Sequence, residues 1–113
     1  MNISCINEEN TSLISVVGRI DATTSADFES QCFELVNDAN KNVALDLTAL
    51  DYISSAGLRS ILKLAKICKE KKLKLALFGL QKAVAEVFKI SGFNTIIKIC
   101  DDKESALKTV SVA

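Results

Sequence analysis

Residues 51–62 read DYISSAGLRSIL and join an apolar, strand-like run to a helical pattern, with two serines and a glycine at the junction. The first turn of a helix has backbone N–H groups without partners, and these groups and the helix dipole favour negative charge. A serine at this junction can therefore cap the helix, hold an anion or accept a phosphoryl group. The residues alone leave these three roles open.

On both sides of this junction, apolar periodicity predicts alternating strands and helices. The predicted strands are residues 3–6, 13–17, 43–47, 73–78 and 95–100. The polar residues 7–10 form a turn between the first two strands, and residues 18–21 leave the second. The first helix begins near Thr23, Thr24 or Ser25 and ends at residues 37–40.

Three further helices are predicted. The second begins within residues 51–62, a segment called the serine turn below. It buries a stripe of apolar residues at helical spacing, namely Leu58, Ile61, Leu62, Ala65 and Cys68. The third ends at Ser91-Gly92, with glycine as its C-cap, and the fourth follows Asp101-Asp102. The resulting order, β-β-α-β-α-β-α-β-α, predicts a single α/β domain with a mixed, largely parallel sheet.

The amino-acid composition excludes several classes of function for this chain. The 113 residues carry no net charge, which gives no global attraction to nucleic acid or anionic lipid. The chain has no histidine, no Walker A loop and no GxGxxG turn, so we expect neither an enzyme nor a cofactor or metal site. The four cysteines lie in apolar segments and are interpreted as small buried residues of a reduced protein.

Targeting signals are not apparent in the sequence. It contains no signal peptide pattern and no apolar run approaching ~20 residues. We therefore expect a soluble, cytoplasmic protein that does not insert into membranes.

Four segments together resemble one known family. They are residues 18–21 (GRID), 45–47 (LDL), 52–58 (YISSAGL) and 88–93 (FKISGF). On these segments, the chain resembles STAS domains, specifically the anti-sigma factor antagonists, over residues 1–113. The resemblance implies the STAS fold as one domain, with helices packed mainly on one face of the sheet.

The resemblance also implies a regulatory function. Members of this family bind an anti-sigma factor that is also a serine kinase of the histidine-kinase-like ATPase class. Binding releases the sigma factor, phosphorylation of a serine at a helix start breaks the complex, and a serine phosphatase reverses it. The alternative is a STAS subunit of a transport or nucleotide-sensing system, as a partner of a lipid-transport ATPase.

The family's phosphorylated position aligns with Ser55. Ser54 stands where many phosphorylated members have an acid. Because it also has a hydroxyl group, it is a second candidate for phosphorylation. The partner-binding residues implied are Asp21, Ser54, Ser55, Ala56, Gly57, Arg59 and Lys63. Gly57 would let a partner or its nucleotide approach the backbone closely.

Some of these residues have equally simple structural interpretations. Asp21 could form an Asx turn rather than a recognition surface, and either serine could only cap the helix. The basic residues from Arg59 to Lys74 could form a solvated helix face or a docking surface for an acidic partner. The residues alone do not decide these questions.

Overall fold

After an opening hairpin, strands and helices alternate along the chain. The computed structural model describes residues 1–8 and 10–111, so the turn prediction at Glu9 lies outside the described residues. The strands are β1 (Asn2–Glu8), β2 (Thr11–Ile20), β3 (Asn42–Asp46), β4 (Leu50–Ile53), β5 (Leu75–Phe78) and β6 (Lys98–Cys100). The helices are α1 (Ser25–Ala39), α2 (Ser55–Glu70), α3 (Lys82–Ser91) and α4 (Lys103–Ser111).

The sheet has the order β1-β2-β3-β5-β6, and β4 pairs separately with the end of β2. β1 is antiparallel to β2, whereas the β2–β3, β2–β4, β3–β5 and β5–β6 pairs are parallel. The sheet is therefore mixed and largely parallel, as predicted.

The alternation of side chains along the strands creates two cores. Val43, Leu45 and Leu77 point towards α1, α2 and α3, and together they form the larger core. Their neighbours Ala44 and Ala76 point to the opposite face, where α4 packs. Three helices cover one face and one covers the other, which confirms the predicted arrangement.

One strand, β4, was not predicted from the sequence. Residues 50–53 are buried only at their two ends, so they lack the alternation of a half-buried strand. The prediction that residues 18–21 leave the second strand is wrong, because β2 continues to Ile20. A bulge between Gly18 and Arg19, with Gly18 at φ +106°, turns the end of β2 towards β4.

The predicted start of the last strand is also wrong. A 3₁₀ turn at Phe93–Thr95 precedes β6, which begins only at Lys98. The predicted glycine C-cap of α3 is confirmed, since Gly92 adopts the left-handed conformation at φ +80°.

The cysteines are free thiols. Cys32 and Cys68 are buried, which confirms their interpretation as small core residues, while Cys5 and Cys100 are half-buried. Burial raises the pKa of the Cys32 thiol to about 12 and that of Cys68 to about 11. Both therefore stay protonated and unreactive at neutral pH. Within residues 1–8 and 10–111, no helix combines the length and hydropathy that crossing a bilayer requires.

Candidate functional site

The two serines at the start of α2 have different positions. Ser54 is the N-cap residue, with extended backbone at φ −93° and ψ 176°, and its hydroxyl accepts a hydrogen bond from the Gly57 N–H at 3.2 Å. Ser55 is the first helical residue and is exposed. The capping role therefore belongs to Ser54.

The Ser55 hydroxyl is open to solvent. Among the hydrogen bonds formed within the described part of the chain, none involves this side chain. The first turn of α2 contains no acidic residue, and the helix extends over 16 residues behind it. Added negative charge at Ser55 would therefore meet the favourable end of the helix dipole.

The start of α2 is anchored to the end of β2. The Ser54 N–H donates to the Ile20 carbonyl oxygen at 2.9 Å. A Cβ atom on Gly57 would lie 2.7 Å from that same oxygen and 2.8 Å from Cγ1 of Ile53. Glycine is therefore required for the close packing of α2 on β2 and β4. This internal contact accounts for glycine at position 57 without a partner, and the contact of Gly57 with a partner stays a prediction.

Asp21 organises the turn that follows β2. Its Oδ1 accepts hydrogen bonds from the Thr23 N–H at 2.9 Å and the Thr23 hydroxyl at 2.7 Å, and from the Thr24 N–H at 3.2 Å. These bonds, with Arg19 beside Oδ2, lower the pKa of Asp21 to about 2. The Asx-turn interpretation is confirmed. The role of Asp21 in recognition stays a prediction.

Two residues next to Asp21, Arg19 and Tyr52, were not among the predicted site residues. Arg19 Nε lies 2.9 Å from Asp21 Oδ2, and the guanidinium carbon lies 4.6 Å from the centroid of the Tyr52 ring. Arg19 pairs with Tyr52 across β2 and β4, and Tyr52 remains 45% exposed. Arg19 and Asp21 are two residues apart along the chain, so strand periodicity could have placed them on one face.

The remaining predicted residues lie on or beside the first turns of α2. Ala56 is half-buried next to Ser55, and Arg59 is exposed one turn further on. Lys63 Nζ lies 3.4 Å from Glu29 Oε1 on α1. Glu29 also accepts a 2.5 Å hydrogen bond from the buried Ser60 hydroxyl through Oε2. Lys63 is thus oriented towards α1, and its contact with a partner stays a prediction.

The chain is similar to known proteins both in sequence and in structure. The STAS domain family model matches residues 2–106. A Bordetella bronchiseptica protein named anti-sigma factor antagonist BtrV is 36% identical over 96 residues, covering 85% of this chain and 83% of its own. The anti-sigma-B factor antagonist of Listeria monocytogenes is 32% identical over 102 residues, with 88% and 90% covered.

Solved structures share the fold. An anti-sigma factor antagonist of Thermotoga maritima superposes with a TM-score of 0.89 at 20% identity, covering 97% of this chain and 95% of that one. The phosphorylated form of the Bacillus cell fate determinant SpoIIAA superposes with a TM-score of 0.71 at 14% identity, covering 96% and 99%. With a family match over nearly its whole length and relatives above 30% identity, the chain belongs to the STAS domain family.

Proposed function

We propose that this protein is an anti-sigma factor antagonist whose binding is switched off by phosphorylation of Ser55. Its partner would be an anti-sigma factor that is also a serine kinase of the histidine-kinase-like ATPase class, and a serine phosphatase would restore the binding form. The protein would act in the cytoplasm as a binding module and not as an enzyme.

The observation that carries this proposal is the separation of the two hydroxyls. The Ser54 side chain closes the first turn of α2, so the Ser55 side chain is not needed for that purpose. A kinase can reach the Ser55 oxygen without breaking an internal hydrogen bond. Modification of Ser54 would instead remove the helix cap.

A phosphate on Ser55 would act on the partner more than on the fold. It adds about −1.5 to −2 charges and three acceptor oxygens. The protein tolerates this charge because the N-terminus of α2 stabilises anions. A partner surface docked over Ser55 and Tyr52 would lose an uncharged, partly apolar contact and meet charge and bulk.

The relatives support the class of partner. Two proteins above 30% identity are named as anti-sigma factor antagonists. A protein of the same fold has been solved in a phosphorylated form, so the STAS fold is compatible with a phosphate. These names and this phosphorylated state are those of the related proteins.

The proposal is tested by phosphorylation and binding with purified anti-sigma factor kinases of the source organism. With ATP and Mg²⁺, we expect intact mass analysis to find one added phosphate, lost in Ser55→Ala and retained in Ser54→Ala. Calorimetry should find that Ser55→Asp weakens binding at least about tenfold, because the charge lies in the interface.

Ser55→Asn is the matched control, since it adds similar bulk without charge and should bind more tightly than Ser55→Asp. Phosphate located on Ser54, or no phosphate from a kinase that binds the protein, contradicts the assignment. Binding to a lipid-transport ATPase in place of every such kinase would favour the alternative, a STAS subunit of a transport system.

A further inference from the structure

A groove lies between the second half of α2 and the segment that leads into β6. It has a volume of about 480 Å³. Its apolar lining comes from Leu62, Ala65, Leu73, Leu75 and Ile97. Ile96 stands at its edge and is 66% exposed, although an isoleucine is normally buried.

The charges around this groove have one sign. Lys66, Lys69 and Lys98 line it, and no carboxylate does. A neighbouring groove of about 680 Å³ shares residues 96–98, adds Lys89 and again contains no carboxylate. Since the whole chain has 14 basic and 14 acidic residues, this is a local separation of charge.

The lysines are also available for binding. No salt bridge formed within residues 1–8 and 10–111 involves any of these four lysines. By contrast, Arg19, Lys63, Lys103 and Lys108 each have a carboxylate partner. A partner with acidic side chains would therefore not have to displace an existing ion pair.

We propose that this groove, bordered by Lys66, Lys69 and Lys98, binds an acidic amphipathic helix of a partner protein. The apolar residues of such a helix, spaced by three and four, match the apolar floor. Its flanking Glu and Asp side chains match the lysines on both sides. Charge complementarity of this kind mainly raises the association rate and sets the orientation of the partner.

This surface is separate from the serine turn. Lys66 lies eleven residues after Ser55 in the same helix, which corresponds to ~16 Å along its axis. That distance exceeds the screening length of ~8 Å at physiological salt. Binding in the groove should therefore persist when Ser55 is charged, and the inference does not depend on the proposed switch.

The probe is a synthetic helix of about 16 residues, ~24 Å long, with leucines at positions spaced by three and four and glutamates elsewhere. Titrated into the ¹⁵N-labelled full chain, it should shift amide resonances of residues 62–69 and 96–98. Lys66→Glu/Lys69→Glu should weaken its affinity at least about tenfold, because the charge complementarity is reversed. Ser55→Asp should leave the affinity unchanged.

Two controls make the result specific. Lys41→Glu/Lys82→Glu changes the net charge by the same amount outside the groove and should leave the affinity within about twofold, because salt screens charges that do not line the binding site. A peptide with serine in place of leucine should not bind. Shifts that map elsewhere, equal loss in both double variants, or equal binding of the serine peptide would each overturn the proposal.

Discussion

The hydroxyl of Ser54 and the backbone N–H of Gly57 are joined by a 3.2 Å hydrogen bond that closes the first turn of α2. The next hydroxyl along the chain, on Ser55, is exposed and outside this turn. Two adjacent residues of identical chemistry therefore differ in what they contribute to the fold, and this difference can be measured.

Ser54→Ala should destabilise the protein, whereas Ser55→Ala should not. Loss of the N-cap lowers the free energy of unfolding by ~1 kcal/mol, which lowers the Tm by roughly 4 °C in a domain of this size. Ser55→Ala should stay within ~0.5 kcal/mol of wild type. Urea and thermal unfolding give both values, and a larger effect at Ser55 would mean that the cap is assigned to the wrong serine.

Gly57→Ala should be destabilising although it raises helix propensity. In an open helical position, the substitution would stabilise by ~1 kcal/mol. Here the new Cβ would lie 2.7 Å from the Ile20 carbonyl oxygen, and the resulting shift of α2 should give a net loss of about 1–3 kcal/mol. Urea unfolding determines the sign, and a gain in stability would contradict the tight packing of α2 on β2.

The turn at Asp21 should make stability depend on acid pH. Its folded pKa of about 2 lies below the ordinary value of 3.8, so its carboxylate stabilises the fold fully above that value. This contribution declines as pH falls towards 2. We expect the stability difference between wild type and Asp21→Asn to be largest near neutral pH and smallest near pH 2. Urea unfolding at several pH values tests this, and a difference that does not change with pH would be inconsistent with it.

The buried hydroxyl of Ser60 should make its partner on α1 important for stability. Ser60 is fully buried and donates to Glu29, so Glu29→Ala leaves the hydroxyl unpaired and should destabilise by about 1–3 kcal/mol. Ser60→Ala removes the polar group itself and should cost less. In a double-mutant cycle, the two substitutions should be less than additive. Full additivity would show that the two side chains do not interact in solution.

Most of the fold could be predicted from periodicity, since the long elements have strong patterns. The apolar stripe of α2 and the glycine cap at Gly92 follow from local rules. β4 could not be found in this way. It is four residues long and is defined by pairing with β2, about thirty residues earlier in the chain. The β-branched pair Ile96-Ile97 favoured a strand, but the turn after Gly92 places both residues before β6.

The position of the site could be predicted from the sequence, but the different roles of Ser54 and Ser55 could not. The sequence places both serines at a helix start, and only the extended backbone of Ser54 identifies it as the cap. The glycine at position 57 was interpreted as space for a partner, and its internal contact with β2 was not predicted. The carbonyl oxygen that Gly57 approaches belongs to Ile20. This residue lies in β2, whose predicted end at residue 17 was too early.

β2 is hydrogen-bonded to β1, β3 and β4, and its last carbonyl holds the Ser54 N–H. The Ile20 end of β2 is paired with β4 and Ile20 is fully buried, so we expect hydrogen exchange at this amide to be slower than in an exposed loop. We therefore expect the serine turn to fluctuate less than an exposed loop. Any protein that recognises it encounters one preformed shape, and its selectivity can rest on that shape without an ordering cost.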